Sequence, residues 1–127
     1  MKKITYNNLD NILIEEFPEF KKSKEYEDKD KEFKYAFIAG FSRFIVQMIE
    51  GETFKQEFIQ RVFSFINDIY NGPEISKEDG SDTVQNLFYV EIFENLAQSK
   101  LAVEMARQYL QAKAKLEFET VFEHTGV

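Results

Sequence analysis

Residues 33–70 read FKYAFIAGFSRFIVQMIEGETFKQEFIQRVFSFINDIY and have the clearest helical pattern in the chain. In the first half of this stretch the large apolar residues recur every three or four positions, the period of an amphipathic helix. They are Phe33, Phe37, Phe41, Phe44, Ile45 and Met48. Gly51 ends this helix, and Thr53 followed by Gln56 has the pattern of a capping box for the next. The second helix has its own buried stripe of Phe54, Phe58, Val62, Phe65, Ile66 and Ile69. A helical hairpin is therefore predicted.

Gly40 lies in the middle of the first of these helices, where a glycine costs about 1 kcal/mol relative to alanine. Ala36 lies four residues earlier on the same helical face. We expect a close crossing with another helix at this point, because the missing side chain allows two backbones to approach.

The N-terminal segment has the same period, through Leu9, Ile12 and Leu13. It predicts a helix from Thr5, as the N-cap, to about Phe17. Pro18 lacks a backbone donor and disfavours helical geometry in the residue before it, so the helix stops or kinks there. Phe20 then packs back on the core.

Residues 21–34 alternate in charge, with six lysines against five acidic residues and only Tyr26 and Phe33 as large apolar side chains. Runs of mixed charge are typical of solvated surface. The segment is interpreted as an exposed linker or solvated turn, with a charged docking surface as the alternative.

The second half of the chain begins with Asn71-Gly72-Pro73, the order of a left-handed residue followed by proline at a helix end. A loop follows over 72–81, and Asp82 with Gln85 repeats the capping-box pattern. The helix predicted over 83–97 is apolar nearly all round in its first half, which is typical of a central helix. Its apolar residues are Val84, Leu87, Phe88, Tyr89, Val90, Ile92 and Phe93.

Beyond it, Gln98-Ser99-Lys100 can break or cap the chain before an outer helix. The narrower stripe of that helix consists of Leu101, Ala102, Met105, Tyr109 and Leu110. A last segment contains Leu116, Phe118, Val121 and Phe122, and its end, 124–127, is expected to fray.

The fold class is therefore all-α, with five or six helices in a single domain over residues 1–127. Two helix pairs, 33–70 and 83–110, are offset by roughly the 40 to 47 residues of a HEAT or armadillo unit. No repeat at the level of individual residues accompanies that spacing, so a helical bundle and a HEAT-like stack both stay open.

The charge balance excludes some partners, because 23 acidic against 16 basic side chains give a net charge of −7. Such a chain repels nucleic acid and anionic membranes. The longest strictly apolar stretch is 36–41, far short of the ~20 residues of a spanning helix. Because the N-terminus lacks the apolar core of a signal peptide, a cytoplasmic location is the default.

Residues that perform chemistry are scarce, with no cysteine and one histidine, His124, against fourteen phenylalanines. Disulfides, thiolate nucleophiles and zinc–thiolate sites are excluded, and Ser-His-Asp catalysis depends on a single histidine close to the end of the chain. No glycine-rich phosphate loop is present. We expect no catalytic residue, no cofactor and no metal; a carboxylate-based enzyme is the least favoured alternative.

The candidate binding residues are acidic. On a helical wheel Glu91 and Asn95 continue the stripe of the central helix, with Glu94 beside them. These three residues either form the floor of a binding groove, or Glu91 is a structural group paired with Arg43 or Arg61, which is the favoured interpretation. A further acidic set stands at the junction between loop and helix: Glu74, Glu78, Asp79 and Asp82. The predicted partner-binding surface extends from that junction to the middle of the helix.

Four segments carry a resemblance to a known group of proteins: Ile14-Glu15-Glu16-Phe17-Pro18-Glu19-Phe20, Phe41-Ser42-Arg43-Phe44, Asp82-Thr83-Val84-Gln85-Asn86-Leu87 and Phe93-Glu94-Asn95-Leu96. Together they resemble a family of small, uncharacterised bacterial all-helical proteins. Members of such families resemble immunity proteins of toxin systems, which implies a protein partner and no set of catalytic residues.

Two functions follow as hypotheses. The first is a protein-binding module, most concretely an immunity-type inhibitor whose acidic surface is drawn to a basic toxin domain. The second is a structural or regulatory protein that self-associates through its surplus aromatic residues. The chain is accordingly expected to be a monomer or a homodimer.

Overall fold

A computed structural model of the protein describes residues 3–51 and 55–125. This part of the chain forms seven α-helices and one short 3-10 helix, Asp28–Glu32. The α-helices are α1 Leu9–Glu16, α2 Pro18–Lys21, α3 Lys34–Glu50, α4 Gln56–Tyr70, α5 over 84–97, α6 Lys100–Tyr109 and α7 Ala112–Thr125. The all-α prediction is confirmed, and the helix count exceeds the predicted five or six because Pro18 starts a separate one-turn helix.

Helix α5 lies at the centre of the molecule, as its nearly continuous apolar surface predicts. It contacts α3, α4, α6 and α7. Its middle, Phe88–Phe93, is π-helical between the α-helical turns Val84–Leu87 and Glu94–Ala97. The wider π turn shifts the buried stripe by one residue, so that Ile92 and Leu96 are fully buried where an ideal wheel places Glu91 and Asn95. Glu91 and Asn95 are half-buried at the edge of the stripe.

Phenylalanine rings that pack edge-on or tilted against one another at the Pro18 kink form the N-terminal half of the core. Helix α1 ends at Glu16, Phe17 leaves helical geometry, and Pro18 is the first residue of α2. This brings both Phe17 and Phe20 onto Phe41, with ring centroids 5.4 Å and 5.3 Å away. The predicted kink and the packing of Phe20 are confirmed.

The close approach predicted at Gly40 occurs, but its partner is not a helix. A Cβ on Gly40 would stand 2.8 Å from the backbone carbonyl oxygen of Glu25. The segment that carries Glu25 is held there by Tyr26, whose ring packs edge-on against Phe20 and Phe37. The charged run over 21–34 is therefore partly a packed cover of the core and not a plain linker.

Several residues that the helical period predicts to be buried are exposed to solvent. The period shows which residues share a face of a helix, but not how far a neighbouring element covers that face. Phe33 is 64% exposed and Leu116 is 72% exposed, while Leu101 also lies on the surface. In α4, Phe63 is fully buried and Phe65 only half-buried, whereas the predicted buried stripe contained Phe65 and not Phe63.

The helix ends correct other predictions. Helix α1 begins at Leu9 and not near Thr5, which exchanges hydrogen bonds with Asn8 in the preceding turn. Gly51 caps α3 as predicted, whereas Gly72 does not have positive φ. Ser99 caps α6 by accepting a hydrogen bond from the Ala102 amide. The capping box of Thr53 and the core position of Phe54 lie outside the described residues.

Two asparagines, one in α4 and one directly after it, hold the turn between α6 and α7. Asn67 donates to the Tyr109 carbonyl and accepts from the Gln111 amide, at 2.9 Å each. Asn71 donates to the Gln111 carbonyl and accepts from the Ala114 amide, at 3.0 Å and 2.8 Å. These bonds fix the sharp turn in which Ala112 takes a positive φ of 52°. Helix α7 continues to Thr125, so His124, predicted to fray, is exposed but helical.

Candidate functional site

Asp82 is the centre of a polar cluster where the N-terminal segment, α3 and the start of α5 meet. Its Oδ2 accepts hydrogen bonds from two tyrosine hydroxyls, Tyr35 at 2.6 Å and Tyr6 at 3.2 Å. Its Oδ1 accepts from the Thr83 amide and from Asn86 Nδ2, both at 2.9 Å. Asn86 Nδ2 also lies 3.0 Å from the Tyr35 hydroxyl. The carboxylate is thus surrounded by four donors.

This geometry corrects the predicted cap. The N-cap of α5 is Thr83, whose hydroxyl accepts from the Asn86 amide at 2.9 Å. Asp82 instead connects distant parts of the chain, since Tyr6 and Tyr35 precede it by 76 and 47 residues. The predicted capping partner, Gln85, is buried and bonds elsewhere.

The hydrogen bonds of the cluster shift the acidities of its members. Partial burial favours the neutral form of Asp82, but the donors outweigh it, above all the hydroxyl of Tyr35 and the amide of Asn86, and its pKa lies below its ordinary value. Burial and the Asp82 charge raise the pKa of Tyr6 to about 12. The same two causes raise the pKa of Tyr35, to which the charge of Glu91 adds. The cluster is held as one carboxylate and two neutral phenols.

Alkaline pH is expected to destabilise the protein through these phenols. Because the folded-state pKa of Tyr6, about 12, exceeds its ordinary value of 10.0, its contribution is complete below pH 10 and is lost between pH 10 and pH 12. Chemical denaturation across that range, with wild type beside Tyr6→Phe, measures it. We expect a shallower loss of unfolding free energy in Tyr6→Phe. Identical pH profiles for the two proteins would contradict the assignment.

A polar surface cavity adjoins the cluster, and two of its lysines have partners within the protein. Lys34 bonds to Asp10 Oδ1 at 3.0 Å, and both side chains are largely buried. Lys77 lies over the Tyr6 ring, 5.8 Å from its centroid. Tyr6, Asp10, Lys34, Tyr35, Lys77 and Asp82 line this cavity together with Asn7, Lys31, Glu32 and Ser81.

The acidic loop residues predicted as a binding surface are exposed, as expected. Glu74, Glu78 and Asp79 all face solvent, and Asp79 is oriented by the amide and hydroxyl of Ser81 at 2.9 Å and 2.6 Å. These two bonds lower the pKa of Asp79. Asp82 does not share this surface, because its carboxylate is turned into the tyrosine cluster.

The loop that carries these residues is fixed to the body of the protein by Gln85. The amide nitrogen of Gln85 donates to the carbonyls of Ile69 and Pro73, both at 3.0 Å. Its amide oxygen accepts from the Ile75 backbone at 3.1 Å. Ser76 and Thr83 add an isolated antiparallel bridge. The first part of the loop is therefore hydrogen-bonded to α5 within the protein itself.

Glu91, Glu94 and Asn95 form a second set on the side of α5 that faces α3. The ion pair predicted for Glu91 is not made: Arg43 binds Glu25 at 2.8 Å and Arg61 binds Glu19 at 2.6 Å. Burial and the neighbouring charge of Glu94 raise the pKa of Glu91, against a weaker attraction from Arg43. Asn95 donates to the Glu91 carbonyl and borders a cleft next to Arg43.

The predicted surface is thus divided into an outer loop set and an α5 set, with Tyr35 between them. Tyr35 bonds to Asp82 and is close enough to Glu91 for that charge to act on its pKa. Sequence patterns did not indicate Tyr6 or Tyr35, because the cluster depends on contacts between remote segments.

A groove lies between α1 and α4, and it was not predicted from the sequence. Ile4, Ile12, Phe65 and Ile69 form its apolar floor. The signal was present on the α4 wheel, where Glu57, Arg61, Phe65 and Asp68 share one face. That face could not be recognised as a groove wall without knowing where α1 lies.

Comparisons with known proteins give one family. A family model described as "Domain of unknown function (DUF7674)" matches residues 11–124. No curated protein and no solved structure matches the chain.

The described residues contain neither a metal-binding cluster nor a membrane-spanning helix. Over 3–51 and 55–125 no cluster of three or more His, Asp or Glu side chains is placed to hold a metal ion. None of the helices in the same part of the chain combines the length and apolar character needed to span a membrane.

Proposed function

The chain belongs to the DUF7674 family, whose function is unknown, and we propose that it is a non-catalytic protein-binding domain for a basic partner. The observation that carries this proposal is the acidic loop over 72–81. Three carboxylates there point to solvent. Gln85 bonds to the backbone on both sides of Glu74. The turn that carries Glu78 and Asp79 is held by backbone bonds, in which the Lys77 amide donates to the Asp82 carbonyl and the Gly80 amide to the Lys77 carbonyl. A charged surface that is already ordered loses little conformational freedom on binding.

The polar cluster supports a structural role for the carboxylate that most resembles a catalytic group. Asp82 is occupied by four donors from within the protein, which hold it charged. The one histidine, His124, is exposed near the end of α7 and is not a member of the cluster. Both features favour binding over catalysis.

Within this proposal, an immunity-type inhibitor of a toxin domain is the most concrete form. A net charge of −7 attracts a basic partner from a distance, and complementary charge increases the association rate more than the final affinity. The resemblance to small bacterial helical proteins points in the same direction. The protein encoded beside this chain is the first partner to test.

The test is the association rate with that neighbouring protein. Changing Glu74, Glu78 and Asp79 together to lysine is expected to slow association by at least about tenfold and to weaken its salt dependence. The melting temperature should hardly change, since all three side chains are exposed. Changing Glu50, Glu104 and Glu123 to lysine is the control, because these exposed residues give the same change in net charge elsewhere. Equal rates for the two triple variants would place the interface outside the loop.

Self-association is the second candidate, and the exposure of Phe33 favours it. Phe33 is 64% exposed, and a second copy that covered its ring would bury apolar surface. Sedimentation equilibrium of wild type and Phe33→Ser would show it: a dimer that dissociates in the variant supports self-association, and a monomer at all concentrations rejects it.

A further inference from the structure

The groove between α1 and α4 continues into a second cavity beside the acidic loop. Its first part has a volume of about 500 Å³, and its floor combines Ile12 and Ile69 with the half-buried Phe65. The neighbouring cavity, about 580 Å³, shares Ile4, Asp68 and Ile69 with the first. The two form one channel that runs along α4 and ends at Glu74.

The rim of this channel is acidic. Glu16, Glu57, Asp68 and Glu74 line it and are exposed. Arg61 lies on the same wall, but Glu19 binds it at 2.6 Å and the rings of Phe17 and Phe58 lie beneath its guanidinium group. The charge of Arg61 is therefore compensated within the protein. The exposed Lys3 also lines the second cavity, but the four carboxylates outnumber it, and the rim presents net negative charge above an apolar floor.

We infer that this channel docks a basic amphipathic helix of the partner. The inference rests on the proposed function and adds the chemistry and location of the docked segment. Apolar side chains on one face of that helix contact the floor. Lysine or arginine on its flanks meets Glu57 and Asp68 along the α4 wall and Glu16 on the α1 wall. Glu74 adds a carboxylate at the far end of the channel.

The walls of the channel explain why the occupant is a helix. Residues 3–5 and 72–76 line the second part of the channel, but along the first part the walls are mainly the helices α1 and α4. The backbone groups of these helices are bonded within the helices, so that no strand edge is offered there to an extended peptide. Recognition must use side chains, which a helix presents at spacings of three and four residues. From Glu57 to Asp68 the wall is about 16 Å long at 1.5 Å per residue, which suits about three helical turns of a partner.

The test uses a fluorescent peptide of about 14 leucines and lysines whose leucines share one helical face. A second peptide of the same composition has its leucines distributed around the helix. Fluorescence anisotropy with the full chain should show tighter binding of the amphipathic peptide by at least about tenfold, since only it places leucine on the floor and lysine on the rim together. Equal affinities for the two peptides would overturn the inference, because charge alone would then account for binding.

Charge reversal locates the binding site. Glu57→Lys with Asp68→Lys is expected to weaken peptide binding by at least about tenfold, and Glu104→Lys with Glu123→Lys by less than about twofold. Ile4→Ser should weaken binding while leaving its salt dependence unchanged, because it removes only an apolar contact. If the two charge-reversal pairs weaken binding equally, the channel is not the site.

The same variants separate the failure of this inference from the failure of the proposed function. A verified protein partner that is lost by the loop variant but bound fully by Glu57→Lys/Asp68→Lys leaves the proposed function standing and overturns the channel as a docking site. If sedimentation shows a dimer that both channel variants disrupt, the occupant is a second copy of the chain, and the inference fails in favour of self-association.

Discussion

Replacing Phe41 by alanine is expected to lower the free energy of unfolding by about 3 to 5 kcal/mol. Phe41 is completely buried in α3, and its ring meets those of Phe17 and Phe20 at 5.4 Å and 5.3 Å. Both partners are held by the Pro18 kink, which limits how far the surroundings can collapse into the cavity. Urea denaturation followed by circular dichroism measures the change.

Two other substitutions give free-energy costs with which that of Phe41→Ala can be compared. Phe65→Ala should cost about 1 to 3 kcal/mol, because Phe65 is half-buried and its edge-on contact is with Phe17. His124→Ala should change stability by less than about 0.5 kcal/mol, since the side chain is exposed. If the cost of Phe41→Ala did not exceed that of Phe65→Ala, Phe41 would not be at the centre of the core.

Replacing Gln85 by leucine is expected to cost about 2 to 4 kcal/mol, although the side chains are similar in size. The buried amide satisfies the Pro73 carbonyl and the Ile75 amide, and adds a bond to the Ile69 carbonyl, which also accepts from Gly72. Leucine would leave the first two groups without that partner in a partly buried setting. The cost arises from these backbone groups and not from lost packing.

Gln108→Leu is the matched control, because Gln108 is exposed on α6 and should tolerate the change within about 0.5 kcal/mol. Hydrogen exchange gives a second measurement. In Gln85→Leu the amide of Ile75 should lose protection against exchange, while the amides of α3 should lose only as much protection as the decrease in global stability accounts for. Unchanged protection at Ile75 would show that Gln85 does not hold the loop.

The candidate site was only partly predictable. Glu74, Glu78 and Asp79 were correctly expected at the surface, because a run of charges with glycine and proline lacks the apolar residues to be buried. The prediction that Asp82 caps α5 was wrong, because the neighbouring Thr83 is the cap. The Asp82 carboxylate instead accepts hydrogen bonds from Tyr35 and Tyr6, which lie 47 and 76 residues earlier in the chain. Glu91 was misplaced because the π turn in α5 shifts the register by one residue.

The helices, the kink at Pro18 and the burial of residues such as Phe41 could be predicted from the sequence, because these depend on apolar period and on local backbone chemistry. The folded structure was needed to show which carbonyl Gly40 makes room for, which backbone groups Gln85 bonds to and where α1 and α4 enclose a groove. These features depend on contacts between residues far apart in the chain. A hydrogen bond or a close approach of this kind leaves no period in the sequence, since its partner is fixed by the packing of whole helices.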